Sequence, residues 1–90
     1  MASVRIPTIL RKHTEGAARV AADGDTVREV FTNVVDTHPG LTSSLFDGDD
    51  LRGFINVYVA DEDIRYLDGL ATPVAGSDEI AIMPAVAGGA

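Results

Sequence analysis

The residues whose type and spacing best suit chemistry lie at the C-terminus, in the sequence Gly88-Gly89-Ala90. They follow an apolar run without charge from Ile80 to Ala87. Glycine has no Cβ, so it passes through channels that are too narrow for other residues. A terminal diglycine is therefore typical of a tail that enters the active site of another protein. The alternative interpretation is a frayed end, because the last residues of most domains are poorly ordered.

The other reactive residue types form no recognisable site. The chain has no cysteine, which excludes disulfides, thiolate catalysis and thiolate zinc sites. His13 and His38 lack the spacing of helical zinc ligands, and the acidic stretch at residues 47–50 lacks the later glutamate of a calcium loop. No nucleophile–base pair or carboxylate dyad is apparent. We therefore expect no metal site, and a protein that is not an enzyme.

Composition narrows the range of partners. Fourteen acidic residues against seven basic ones give a formal net charge of −7, which opposes nucleic-acid binding. The acidic balance favours solubility, or docking to a partner with a basic surface. The apolar C-terminal run is about half the length of a membrane span, and the N-terminus has no signal-peptide pattern. We expect a cytoplasmic protein that does not contact the membrane.

The local patterns predict five strands and one main helix. Thr26 and Glu29 match a capping box at the start of the helix, and His38 and Pro39 end it. Within the helix, apolar residues recur at helical spacing on one face. Alternation and strand-forming composition predict strands over residues 3–10, 17–22, 54–59, 64–66 and 79–83.

This order of elements predicts an α+β fold. A single helix between two pairs of strands fits the β-grasp, a mixed sheet of about five strands packed on one main helix. The first and last strands would lie side by side and parallel at the centre of the sheet. We expect one β-grasp domain over residues 1–84 and a flexible C-terminal diglycine tail over residues 85–90.

Three segments carry a resemblance to a known family. They are VRIPTILR at residues 4–11, FINVYV followed by DEDIR within residues 54–65, and IMPAVAGG at residues 82–89. Together they resemble the ubiquitin-like sulfur-carrier proteins of the MoaD/ThiS family, most of all the actinobacterial carrier of the thiocarboxylate-dependent cysteine pathway. The resemblance covers nearly the whole chain and implies a carrier that is not itself an enzyme.

The resemblance also implies a set of partners. An E1-like adenylyltransferase and sulfurtransferase uses ATP to adenylate the carboxylate of Gly89 and converts it to a thiocarboxylate. A sulfur-accepting synthase, which holds pyridoxal phosphate in the cysteine pathway, then takes the sulfur, and a zinc metalloprotease releases the product. Gly88, Ala87 and Val86 would thread the tail into the partner. The carrier itself would bind no cofactor.

Ala90 departs from the family pattern, in which the working tail ends at the second glycine. Three explanations are open for the Gly89–Ala90 junction. A protease removes Ala90, the activating enzyme accepts it, or the residue is an artefact. We favour removal.

Strand parity predicts a docking surface. If residues 55, 57 and 59 face the helix, Phe54 and Tyr58 point to the opposite face of the sheet. The same parity places Ile9 and Met83 with them. This patch would dock the activating enzyme. The alternative is that these side chains fill a secondary core under a loop.

The sulfur-containing product is open, either cysteine or another metabolite. A ubiquitin-like modifier joined to lysines of target proteins is the alternative function, since it shares the fold and the activation chemistry. A third interpretation is an inert adaptor, for which deletion of the two glycines would change nothing.

Overall fold

The computed structural model describes residues 2–48, 50–53 and 55–84. Over these residues the chain forms strands that we number β1 to β7 and two α-helices. The strands are β1 Ala2–Arg5, β2 Arg19–Ala22, β3 Phe46–Asp47, β4 Asp50–Leu51, β5 Ile55–Val59, β6 Glu62–Asp63 and β7 Glu79–Pro84. The α-helices are α1 Val27–Thr37 and α2 Thr42–Leu45. Short 3-10 helices span Thr8–His13, Pro39–Leu41, Ile64–Tyr66 and Gly69–Ala71.

Five strands form one mixed sheet in the order β2-β1-β7-β5-β6. β1 and β7 run parallel, with Val4 opposite Ile80, and the other neighbours are antiparallel. The strands β3 and β4 form a separate small hairpin. The first and last strands therefore lie side by side in the middle of the sheet, which confirms the predicted β-grasp arrangement.

The start of α1 is set by side-chain capping. The Thr26 hydroxyl oxygen accepts the N–H of Glu29 at 3.2 Å, as predicted. The Glu29 carboxylate in turn accepts the N–H of Asp25 at 3.1 Å. In a usual capping box it would accept the N–H of the cap residue itself, which here is Thr26. At the other end, the N–H of His38 bonds to the Val34 carbonyl, and Pro39 follows. The predicted helix is therefore confirmed, and both of its ends lie at the residues whose sequence signals predicted them.

The core lies between α1 and the inner face of the sheet. Phe31 is fully buried and meets the ring of Phe46 edge to face, with ring centroids 6.3 Å apart. Burial of each large apolar side chain contributes about 1.5–3 kcal/mol. The buried residues of α1 and of the inner sheet face are Ala2, Val4, Ala22, Val27, Val30, Phe31, Val34, Ile55, Val57, Val59, Ile80 and Ile82.

The first predicted strand was too long. β1 ends at Arg5, and residues 8–13 form a 3-10 helix instead of continuing the strand to Leu10. Pro7 has no N–H to donate to a ladder, and its carbonyl accepts the N–H of Leu10 at 2.9 Å. Leu10 is therefore buried by a helical turn and not by strand alternation.

The predicted strand over residues 64–66 was also wrong. The strand β6 lies earlier, at Glu62–Asp63, after a turn in which Ala60 and Asp61 both have positive φ. The Asp63 carboxylate accepts the N–H of Arg65 at 2.9 Å and starts a 3-10 helix. A local side-chain bond to the backbone thus overrides the strand-like composition of the segment.

Candidate functional site

The strand that leads into the C-terminal residues holds the central position of the sheet. β7 pairs with β1 on one side and with β5 on the other. Its ladder with β5 extends to Pro84, opposite Ile55. β7 is paired on both sides at Ile80 and Ala81 and with β5 alone as far as Pro84, so the sheet sets the direction in which the C-terminal segment begins.

The side chains of β7 alternate between the two faces of the sheet. Ile80 and Ile82 are buried in the core under α1. Glu79, Ala81 and Met83 lie on the opposite face, which we call the outer face, and the Met83 residue is 55% exposed. An exposed methionine beside the root of the C-terminal segment is available to a partner.

Strand pairing assembles a groove on the outer face. Ala81 lies opposite Arg5 of β1 and opposite Tyr58 of β5. The small Ala81 side chain leaves room between its larger neighbours, and the groove has a volume of about 440 Å³. Its lining combines apolar and charged groups, as protein–protein interfaces do. The lining residues are Arg5, Tyr58, Ala60, Asp61, Glu79, Ala81 and Met83.

Charged side chains mark one end of the groove. The Glu79 carboxylate lies 3.1 Å from the Arg19 guanidinium and 3.9 Å from that of Arg5. These side chains are about half exposed, and such pairs each contribute only about 0–1 kcal/mol to stability. They place two positive side chains and one negative side chain across β2, β1 and β7.

The structure brings together two of the four predicted docking residues. Tyr58 and Met83 line the same groove. Ile9 is 60% exposed but lies in the 3-10 helix, so the strand parity that grouped it with these residues was wrong, and its role in docking stays a prediction. The remaining predicted residues lie outside the described ones: Phe54 of the docking patch, and Val86, Ala87, Gly88, Gly89 and Ala90 of the tail.

Several residues of the groove were missed by the sequence analysis. Glu79 and Ala81 alternate with Met83 along the same strand, so strand alternation in the sequence could have identified both of them. Arg5 required the register of β1 against β7, and Ala60 and Asp61 required the geometry of the β5–β6 turn.

The described residues contain no group of three or more histidine, cysteine, aspartate or glutamate residues able to hold a metal ion. His13 packs against Gly40, where an added Cβ would come within 2.8 Å of the imidazole Nδ1. Within the same residues, no helix has the length and apolar character required to cross a bilayer.

A second cavity of about 320 Å³ lies beside the β3–β4 hairpin. Its two arginines are tied to the backbone, since Arg65 donates to the carbonyls of Gly53 and Ile55 at 3.2 and 3.3 Å. Arg52 donates to the Ser43 carbonyl at 2.6 Å. These bonds tie the segment that follows the hairpin to α2 and to the 3-10 helix Ile64–Tyr66, so we assign this cavity a structural role.

The sequence of this chain matches a known protein family and its members. Residues 4–89 match the ThiS family. The chain is 46% identical over 90 residues to the sulfur carrier protein CysO of Mycobacterium tuberculosis, with 97% of each chain covered.

Two solved structures are similar over nearly the whole fold. The CysO chain from the BexX/CysO complex of Amycolatopsis orientalis superposes with a TM-score of 0.92 at 45% identity, covering 96% of this chain and 97% of that one. The small archaeal modifier protein 1 of Methanosarcina acetivorans gives a TM-score of 0.87 at 33% identity, with coverage of 98% and 95%. The chain belongs to the ThiS family.

Proposed function

We propose that this chain is a sulfur carrier protein and not itself an enzyme. An E1-like enzyme adenylates the carboxylate of Gly89 with ATP, and the acyl-adenylate is converted to a thiocarboxylate. The thiocarboxylate then donates its sulfur in the biosynthesis of cysteine or of another sulfur-containing metabolite.

The observation that carries this proposal is the extent of the likeness to sulfur carriers. The family match runs to residue 89 and stops there, and the 46% identity to the mycobacterial carrier extends along almost the full chain. The central position of β7 supports it further, because the C-terminal segment begins at the end of this strand, beside an exposed groove.

The chemistry explains why the carrier needs both ATP and a partner protein. A carboxylate is a poor electrophile, so ATP must supply a leaving group. The carboxylate oxygen attacks the α-phosphorus, pyrophosphate leaves, and a sulfur nucleophile then displaces AMP from the acyl carbon. The resulting sulfur is anionic and polarisable, which makes it a good nucleophile without a neighbouring base. A partner's closed channel would protect it from hydrolysis, and Gly88, Ala87 and Val86 are small enough to enter one.

Ala90 must be removed before this chemistry in our proposal. While Ala90 is present, the carbonyl group of Gly89 is part of a peptide bond, so Gly89 has no free carboxylate. A protease that cleaves between Gly89 and Ala90 would mature the carrier.

We assign partner docking to the groove on the outer face, with Tyr58 and Met83 as its apolar contacts. The Amycolatopsis relative was solved as a complex of CysO with BexX, which supports a carrier that docks on a second protein. By the same proposal, ATP is bound by the activating enzyme, pyridoxal phosphate by the acceptor enzyme, and zinc by a metalloprotease that releases the product.

The proposal is tested by reconstitution with the activating enzyme, ATP and a sulfur source. Three chains are compared by intact mass: one ending at Gly89, the full chain ending at Ala90, and a Gly89→Leu variant ending at residue 89. We expect the chain ending at Gly89 to exchange one oxygen for sulfur. The full chain should stay unchanged because its Gly89 has no free carboxylate, and the leucine variant should stay unchanged because its side chain blocks the channel. Equal thiocarboxylate yields from glycine and leucine would overturn the assignment of Gly89.

A ubiquitin-like modifier is the second candidate, favoured by the 33% identity to the archaeal modifier protein. The same reconstitution, with a host lysate added, separates the two functions. A modifier produces a ladder of higher-mass conjugates that contain this chain, whereas a sulfur carrier accumulates the thiocarboxylate.

A further inference from the structure

The charges of this chain are separated along the direction of the strands. We call the end of the sheet at which β1 and β7 end, and β2 and β5 begin, the exit end. There β7 reaches Pro84, opposite Ile55, the first residue of β5. Six of the seven basic residues lie at or beyond the exit end, namely Arg5, Arg11, Lys12, Arg19, Arg52 and Arg65.

The β1–β2 side of the exit end holds four of these residues. Arg5 is the last residue of β1 and lies opposite Arg19, the first residue of β2. Arg11 and Lys12 lie in the 3-10 helix between these two strands. Within residues 5–19, Glu15 is the one acidic residue. Four basic residues against one acidic residue give this stretch a formal charge of +3, with histidine neutral, in a chain whose net charge is −7.

The β5 side of the exit end adds two more positive charges. The Arg52 carbonyl accepts the N–H of Ile55 at 2.9 Å, which places Arg52 beside the first residue of β5. The Arg65 guanidinium donates to the Ile55 carbonyl at 3.3 Å. The seventh basic residue, Arg28, lies on α1.

The opposite end of the sheet is acidic. β2 ends there, and two aspartates follow it in the turn before α1. β7 begins there, where the Asp78 carbonyl accepts the N–H of Ser3 at 3.1 Å. The turn and short strand that follow β5 add further carboxylates. The acidic residues at this end are Asp23, Asp25, Asp61, Glu62, Asp78 and Glu79.

Part of the positive charge at the exit end is already paired. The Glu79 carboxylate lies 3.1 Å from the Arg19 guanidinium and 3.9 Å from that of Arg5. Two guanidinium groups thus share one carboxylate, so a net positive charge remains between β1 and β2. The rest of the positive charge on this side lies in the 3-10 helix that connects the two strands.

That helix presents its charges together with an apolar side chain. Lys12 is exposed. The Arg11 Nε donates to the Ile6 carbonyl at 3.0 Å, which holds the guanidinium near the end of β1. Ile9, in the same helix, is 60% exposed. An exposed isoleucine beside fixed cations suits a protein surface that combines an apolar contact with carboxylates.

A partner that docks at the exit end responds mainly to the charges that it touches. The screening length is about 10 Å at 0.1 M ionic strength. The six residues of β7 separate the two ends of the sheet by about 17 Å. The acidic end is therefore largely screened from a partner at the exit end. The local charge favours an acidic partner surface there, whereas the net charge of the chain favours a basic one.

We propose that the exit end docks a carboxylate-rich surface of the activating enzyme, with Ile9 as an apolar contact among the cations. This inference rests on the proposed function for the identity of the partner. Attraction at the exit end and repulsion of the acidic end orient the carrier, so that β7 points toward the enzyme before contact. The docking surface is continuous with the outer-face groove, which Arg5 lines.

The first test maps the charge separation on the full chain by amide-resolved NMR. The chain is titrated with poly-glutamate and, separately, with poly-lysine. We expect poly-glutamate to shift the amide resonances of residues 5–19, and poly-lysine to shift those of residues 23–25, 61–62 and 78–79. Poly-glutamate shifts that are uniform along the chain, or largest at the acidic end, would overturn the inference.

The second test measures how fast the chain ending at Gly89 associates with the activating enzyme. Lys12→Gln removes one positive charge at the exit end. Ser77→Glu adds one negative charge at the acidic end, next to Asp78, so both variants change the net charge equally. Both residues are exposed, so both variants should unfold at nearly the wild-type temperature.

We expect Lys12→Gln to slow association about threefold at low salt and to match wild type at about 0.5 M salt, with Ser77→Glu close to wild type at both. Equal slowing by both variants would mean that net charge alone governs the encounter. An unchanged or faster rate for Lys12→Gln would mean that the enzyme surface is not acidic. Either result would overturn the inference.

The reconstitution keeps this inference apart from the proposed function. A chain ending at Gly89 that associates with the expected salt dependence, yet forms no thiocarboxylate, would contradict the proposed chemistry and support the docking surface.

Discussion

At the scale of single residues, Gly24 sets the turn between β2 and α1. It has a φ of +157°, and an added Cβ would lie 2.6 Å from the backbone nitrogen of Val30 and 2.8 Å from its Cγ2. Both the conformation and the close approach require glycine. The helix is therefore packed against this turn without space for a methyl group.

We predict that Gly24→Ala lowers the free energy of unfolding by about 2 kcal/mol, because the backbone nitrogen of Val30 cannot move aside. Gly53→Ala is the control, since nothing lies within 4 Å of its added Cβ, and it should change stability by less than about 0.5 kcal/mol. Urea unfolding followed by circular dichroism measures both. Equal stability of the two variants would contradict the close approach at Gly24.

Strand parity correctly grouped Tyr58 with Met83 and failed at a proline. Tyr58 and Met83 line one groove because each lies on a regular strand whose alternating residues are buried. Ile9 was misplaced because Pro7 ends the ladder and the chain turns into a 3-10 helix. Parity holds only as far as the backbone hydrogen bonds that impose it.

At the scale of elements, α1 depends on its N-terminal cap. The sequence predicted this helix well because the cap, the apolar periodicity and the proline stop all agree. The segment Ile64–Tyr66 was mispredicted because three residues are too few to show a hydrophobic periodicity. Its conformation is set by one hydrogen bond, in which the Asp63 carboxylate accepts the N–H of Arg65. Short elements are set by local side-chain bonds that composition does not reveal.

We predict that Thr26→Ala destabilises the protein by about 1 kcal/mol, because the N–H of Glu29 loses its acceptor at the first turn. Thr26→Ser keeps the hydroxyl and should stay close to wild type. Thermal unfolding of the two variants gives the comparison. A serine variant as unstable as the alanine variant would show that the threonine methyl, and not the cap, matters.

At the scale of the whole molecule, the fold brings the groove of the outer face and the start of the C-terminal segment to one central strand, β7. The order of strands and helix in the sequence was sufficient to predict the β-grasp. It was not sufficient to predict the groove, because Arg5, Ala81 and Tyr58 are distant in sequence and meet only through the registers of β7 with its two neighbours.

We predict that Met83→Asp reduces thiocarboxylate formation by the activating enzyme about tenfold, since it places a charge at the apolar end of the groove. The matched control is Tyr66→Asp, at a residue that is 87% exposed and does not line the groove. Both variants should unfold at nearly the wild-type temperature. A similar loss from both would mean that net charge, and not the groove, governs docking.

In our proposal, Gly89 is the working end of a processed sulfur carrier. The decisive measurement is the intact mass of the protein purified from its native host, before and after incubation with the activating enzyme, ATP and a sulfur source. We predict a species without Ala90 that then exchanges one oxygen for sulfur. A full-length species that never changes, beside enzyme that activates a control chain ending at Gly89, would contradict this role of Gly89.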